Sequence, residues 1–260
     1  MAQTLKQRVN TKLLKTVKDL AAKRGYELVG GHKMPPDYDP ASIALMRKVK
    51  PYTLTSHERI WALRQAVAYV VRAGIPGSIV ECGVWRGGSM LVIAHTLMEL
   101  GETDRDLYLF DTFETMPPPG EYDRDVWGTH AADFYEAALA SPVYSYLPQD
   151  QIYALMVATG YPAEKLHFVR GMVEETIPEN APEQIALCRL DTDWYESTIH
   201  ELEHLYPRIP AGGILIIDDY GHFMGAKRAV DEYLLKNELN VLLNRIDFTG
   251  RLVIVPPRTA

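Results

Sequence analysis

Carboxylates at the ends of apolar runs are the most chemically suggestive feature of this 260-residue sequence. The run Ile185-Ala186-Leu187-Cys188-Arg189-Leu190 ends on Asp191, with Asp193 just beyond, and Ile214-Leu215-Ile216-Ile217 ends on Asp218-Asp219. Laid side by side as strands, these runs bring their acids together. A bare cluster of that kind repels itself and forces at least one member to hold a proton. A hard divalent cation removes the conflict, and all-oxygen ligation points to Mg2+, Mn2+ or Ca2+ rather than zinc. The plain alternative is a solvated acidic rim with Asp193 and Asp219 as helix caps.

A second group surrounds a glycine turn. Val80-Glu81-Cys82-Gly83-Val84-Trp85-Arg86-Gly87-Gly88-Ser89 is an apolar run entering a turn whose glycines let the backbone approach a ligand and present N–H groups at the next helix. The spacing is not Gly-x-Gly-x-x-Gly, and Glu81 is awkward beside a pyrophosphate but suits a ligand carrying an amine. Asp111 ends the next apolar run 23 residues after Gly88. An acid there accepts hydrogen bonds from both ribose hydroxyls of a nucleoside, which fits either NAD or S-adenosylmethionine.

The elements that must position these groups follow a rhythm. Strands are expected at residues 78–84, 107–111, 166–170, 185–191 and 214–219, with helices after Ser56, over 89–100, after the fourth strand and near 225–237. Ser56 is the expected N-cap of the first of these helices. Two closing strands, around 240–246 and 250–255, lack room for a helix between them and should pair antiparallel around Asp247–Gly250. The outcome is an α/β fold: a doubly wound, mostly parallel seven-stranded sheet with one antiparallel strand, the methyltransferase variant of the Rossmann-like architecture. In such sheets ligands sit beyond the carboxyl ends of the strands, where these acids fall.

Residues 4–24 read as a basic amphipathic helix, and residues 1–50 as a helical arm or lid ahead of a main domain over 51–260. Charge divides the same way, +7 on residues 1–50 and −14 on the rest. An acidic body argues against a nucleic-acid partner, because such affinity comes from neutralising phosphates. The longest apolar run, Ile152 to Ala158, is seven residues, far below the ~20 of a membrane-spanning helix. No secretory signal is visible and two cysteines build no disulfide framework, so the expected location is the cytoplasm, with no membrane partner.

The glycine-turn segment resembles the macrocin O-methyltransferase family. So do Phe110-Asp111-Thr112-Phe113-Glu114-Thr115-Met116-Pro117, Arg189-Leu190-Asp191-Thr192-Asp193-Trp194-Tyr195-Glu196-Ser197-Thr198, and Gly212-Gly213 through Asp218-Asp219-Tyr220. The likeness runs from about Tyr52 to the C-terminus. It implies a homo-oligomeric (homodimeric or larger) antibiotic-biosynthesis enzyme that uses S-adenosylmethionine and Mg2+ (or Mn2+) to methylate a sugar hydroxyl of a small-molecule glycoside. Carried over by position, it implies metal ligation by Asp191, Asp218 and Asp219, with Asp193 as general base beside Asp191. Glu81, Gly83, Gly87, Ser89, Asp111, Thr112 and Met172 would line the S-adenosylmethionine site. Arg170-Gly171-Met172 departs from the acid that many methyltransferases place against the adenine amine, which leaves adenine to backbone or to Met172.

The sulfonium already activates the methyl group, so the task left to the protein is to deprotonate and aim an alcohol. A metal site implies an acceptor with adjacent oxygens, a vicinal diol; sugars and catechols both qualify. The loop Met116–Gly128, with Tyr122 and Trp127, is read as either a lid or an ordered wall. Tyr52 and Trp194 are read as sugar-stacking rings or core, and His222 as a spare base or a capping residue. The rivals are a catechol or phenolic O-methyltransferase, an NAD-dependent oxidoreductase, and a non-catalytic binder.

Overall fold

The computed structural model describes residues 34–257, so the basic helix expected over 4–24 lies outside the described residues. Two units divide the chain, Met1–Asp39 and Pro40–Ala260. Helix α1 (Pro40–Val49) therefore belongs to the main unit rather than to the arm.

Four apolar runs, at residues 78–82, 107–111, 185–190 and 214–217, become strands buried on both faces. β1 (Ser78–Cys82), β2 (Leu107–Asp111), β3 (Leu166–Arg170), β4 (Ile185–Leu190), β5 (Ile214–Ile217), β6 (Asn244–Arg245) and β7 (Arg251–Ile254) form one sheet in the order β3-β2-β1-β4-β5-β7-β6. Only β7 runs against its neighbours, pairing antiparallel with both β5 and β6. The closing turn forms where expected: the Asp247 carboxylate accepts the N–H groups of Thr249 and Gly250 at 2.9 and 2.7 Å. The last strand pair is shorter than its apolar content suggests. Of residues 240–246 only Asn244–Arg245 pairs, while Val241 and Leu243 pack on the core instead.

Helices α2 (His57–Arg72), α3 (Gly88–Leu100), α4 (Ala132–Leu139), α5 (Gln149–Val157), α6 (Val173–Thr176), α7 (Tyr195–Leu205) and α8 (Met224–Lys236) fill the connections. Ser56 caps α2 as expected, its hydroxyl accepting from the Arg59 N–H at 3.1 Å. Gly87 opens α3 in the left-handed region, φ +83°. Leu202 and Leu205 of α7 and Val230 and Tyr233 of α8 bury against Cys82, Cys188, Leu190, Leu215 and Ile217 of the sheet. Among the described residues no helix is long and apolar enough to cross a membrane.

One core position of α7 carries an ionisable side chain. Glu201 is 0% exposed and faces the Thr192 hydroxyl and the Cys82 thiol. Burial pushes its carboxyl well above the ordinary value, so the folded protein keeps it protonated. The unfolded chain releases that proton as pH rises past the ordinary range, so Glu201 lowers stability progressively toward neutral pH. Glu201→Gln keeps the shape without the titration. At pH 8 it should raise the melting temperature by about 3 °C, a gain that shrinks toward pH 5; differential scanning calorimetry across that range checks it.

Candidate active site

β1 lies between β2 and β4, so the direction of winding reverses there and a crevice opens beyond the strand ends. The crevice is a cavity of about 650 Å³. Gly83, Ser89, Asp111, Thr112 and Met172 of the expected donor site line it, and so do Asp191, Asp193, Asp218 and Asp219. The ladder itself carries the acids to the crevice. Asp191 N–H donates to Cys82 O, and Asp218 N–H to Leu190 O, both at 2.9 Å, one step past the last strand residues.

The glycine turn is folded around Asp111. Asp111 Oδ2 accepts from Val84 N–H at 2.6 Å and Trp85 N–H at 2.8 Å, and Oδ1 accepts from Phe113 N–H at 2.7 Å. Its first role is thus to clasp the turn; the Thr112 hydroxyl, 3.4 Å from Oδ1, stands at the remaining acceptor position, where a ribose hydroxyl would replace it. Burial raises the Asp111 carboxyl and these three bonds oppose the rise. Gly83 has φ +82°, and a Cβ there would strike the Asp191 carbonyl, so the donor turn and the acidic strand end are in backbone contact. Three non-glycine residues just past β1, β2 and β4 are left-handed: Trp85 (φ 51°), Phe113 (φ 55°) and Asp193 (φ 70°). Backbone strain gathered at one sheet edge marks a working site.

Two expected donor residues do not line the cavity. Gly87 serves the turn, its N–H bonded to Val84 O at 2.8 Å. Glu81 sits behind the wall, where its carboxylate accepts from Arg189 Nη1 at 2.5 Å. Burial lifts the Glu81 carboxyl to about 7 although Arg189 pulls it down. One of its oxygens thus holds Arg189, while Oε2 is buried without a hydrogen-bond partner.

The acids are organised by two arginines that the reading of strand ends overlooked. Arg189, 3% exposed, also donates to Asp191 Oδ2 from Nη1 at 2.7 Å and to Asp218 Oδ1 from Nη2 at 2.5 Å. Arg59 of α2 holds the other Asp218 oxygen through Nη1 and donates from Nε to Asp247 Oδ2 at 3.0 Å. Arg189 could have been noticed, as the single charge inside an otherwise apolar buried strand; nothing local marks Arg59.

With Asp218 held by guanidiniums, the carboxylates that converge are Asp191, Asp193 and Asp219, with one oxygen of each within 4.8 Å of the others. This trio differs by one member from the expected Asp191, Asp218 and Asp219. Burial pushes Asp193 up to about 7, with the Asp191 and Asp218 charges adding to the rise. Asp219 also rises, through burial and then the facing Asp193. Asp219 Oδ2 is buried without a hydrogen-bond partner. An orphaned oxygen among crowded acids fits a hard divalent cation.

The surrounding rings sort themselves. Trp194 is buried edge-on to Phe223, ring centroids 5.0 Å apart, and its indole N–H donates to Pro117 O at 2.9 Å, so it packs in the wall. The loop after β2 is pinned likewise: buried Asp123 accepts from Gly120 N–H at 2.7 Å and Tyr195 N–H at 2.9 Å. Tyr52 and His222 line the cavity, and Trp127, 76% exposed, meets His222 at 6.0 Å. Tyr146, unremarked in the sequence, also lines it; burial and the charges of Asp111 and Asp193 push its phenol up.

Known proteins resemble this chain in sequence and in fold. The family model described as macrocin-O-methyltransferase (TylF) matches residues 12–253, farther toward the N-terminus than the motifs reach. The 8-demethyl-8-(2,3-dimethoxy-alpha-L-rhamnosyl)-tetracenomycin-C 4'-O-methyltransferase of Streptomyces olivaceus is 33% identical over 215 residues, 83% of this chain and 80% of that protein. The demethyldecarbamoylnovobiocin O-methyltransferase of Streptomyces niveus is 31% identical, over 76% of this chain and 74% of its own. Among solved structures, the O-methyltransferase NovP superposes with a TM-score of 0.70 at 30% identity, covering 80% of this chain and 83% of that one. Motif, sheet order and overall similarity agree: the chain belongs to the macrocin O-methyltransferase family and is an O-methyltransferase of the S-adenosylmethionine-dependent class.

Proposed function

We propose that this enzyme methylates one hydroxyl of a vicinal diol on a sugar of a natural-product glycoside, with a divalent ion, Mg2+ or Mn2+, at the acidic strand ends. The observation that carries the reading is the convergence of Asp191, Asp193 and Asp219 in the same cavity as the glycine turn. The relatives support the acceptor class: besides the rhamnosyl enzyme above, a 29% identical Micromonospora griseorubida protein is a mycinamicin III 3''-O-methyltransferase.

Asp191 and Asp219, with Asp218, would hold the ion, which supplies a fixed double charge that makes a neighbouring alcohol more acidic. S-adenosylmethionine supplies the sulfonium-activated methyl group. The chain supplies the rest. Gly83, Ser89 and the Asp111 carboxylate, which line the cavity, would receive the donor, and Met172 would pack beside it. Asp193 accepts the alcohol proton as the oxygen takes the methyl group. Arg189 keeps Asp191 and Asp218 in fixed positions, so little reorganisation is needed during transfer.

The test uses labelled S-adenosylmethionine with three diol probes: TDP-rhamnose, methyl α-L-rhamnopyranoside and catechol. Transfer to a rhamnose probe should fall at least ~100-fold after EDTA and return with Mg2+ or Mn2+. Full activity after EDTA would remove the ion from the reading, and a preference for catechol would replace the sugar.

A further inference from the structure

Arg59 stands apart from the other charged groups of the site. It belongs to the first turn of α2 rather than to a strand end, yet its guanidinium spans two carboxylates, Asp218 in the site and Asp247 in the β6–β7 turn. Asp247 is a built anchor. Besides Arg59 Nε it accepts the Ser56 hydroxyl at 2.5 Å and the N–H groups of Thr249 and Gly250, so it already ties the N-terminus of α2 to that turn. Arg59 keeps a partner there whether or not it touches Asp218.

Charge defines the problem that Arg59 meets. Glu81, Asp191, Asp193, Asp218 and Asp219 crowd the strand ends, and two guanidiniums, Arg59 and Arg189, answer them. An ion that takes Asp218 as a ligand must displace an arginine, because Arg59 and Arg189 hold its two oxygens. Arg189 is buried and held by three carboxylates at once. Arg59 is the looser of the two, its side chain 17% exposed, with Asp247 as a second partner. Release by Arg59 would free one Asp218 oxygen beside Asp191 and Asp219, while Arg189 keeps the other.

We propose that Arg59 is a positioning residue that stands in for the divalent ion on Asp218 and withdraws onto Asp247 when the ion binds. Ion occupancy is thereby coupled to the start of α2 and to Tyr52–Thr55 just before it, which line the cavity. The inference rests on the ion reading above and extends it to a residue outside the ligand set.

Mn2+ is the probe. It is titrated calorimetrically into the wild type, Arg59→Gln, Arg59→Lys and Asp247→Asn, with hydrogen exchange of residues 52–59 followed in each. Arg59→Gln removes the competitor and should tighten Mn2+ binding about tenfold. Arg59→Lys keeps the charge but lacks the fork that bridges two carboxylates, and should tighten binding about threefold. Asp247→Asn takes away the resting partner and should weaken binding. Mn2+ should alter exchange over residues 52–59 in the wild type and not in Arg59→Gln. An Arg59→Lys affinity equal to wild type would reduce Arg59 to a distant charge, and weaker binding in both Arg59 variants would make it scaffold. Should Arg59→Gln fail to fold, the Lys variant and wild-type exchange decide alone. If the wild type takes no Mn2+, the ion reading itself falls and the placeholder falls with it; if it does, and the variants do not shift, only the placeholder falls.

Discussion

Asp193→Asn should slow methyl transfer by ~10²–10⁴-fold, the range expected for loss of a general base, while the donor dissociation constant stays within about threefold. The substitution is clean for a backbone reason. Asp193 is left-handed, φ 70°, and asparagine shares with aspartate a tolerance for that region, so the turn that aims the side chain survives. An alanine there would mix backbone strain with lost chemistry. The substituted amide keeps the shape of the carboxylate that meets Asp191 and Asp219 but accepts no proton. Single-turnover transfer to whichever diol probe the wild type methylates, with calorimetric titration of S-adenosylhomocysteine, separates the two quantities. A variant that keeps half of its turnover would point to another base, and His222, which also lines the cavity, would be examined next.

The second large effect concerns stability. Arg189→Met should cost roughly 3–5 kcal/mol, because it leaves Glu81, Asp191 and Asp218 buried or half-buried without their common partner. Arg189→Lys should recover little of it, since one ammonium cannot reproduce a fork that serves three carboxylates. Urea denaturation at pH 7 measures both. Adding Glu81→Gln to Arg189→Met should restore part of the loss, as the pair couples across adjacent strands and their effects are not additive. An unchanged midpoint in Arg189→Met would mean that the carboxylates are satisfied by water and that the arginine is incidental. The prediction also separates two views of Glu81. As a ligand-amine contact, Glu81→Gln would weaken donor binding first; as the partner of Arg189, it should weaken folding first.

Local chemistry of the chain determined a great deal. Apolar runs of four to six residues became β1, β2, β4 and β5 because a strand buried on both faces needs no polar alternation. Ser56 capped α2, and Asp247–Gly250 closed the antiparallel pair, because cap and turn chemistry act within three or four residues. The acids reached the crevice because each ends its own strand, and a parallel sheet collects those ends on one edge.

The tertiary structure decided how the acids are shared. Glu81 meets Arg189 across 108 residues of chain because β1 and β4 are neighbours with those two positions in register, a fact of pairing that neither strand records by itself. Arg59 arrives from a helix packed beside the site and takes Asp218, leaving Asp193 to complete the convergent trio. Strand patterning specifies where a carboxylate begins its reach. Which partner it finds is settled by electrostatics among side chains that only the folded chain brings within hydrogen-bond distance, where burial makes every unmatched charge costly.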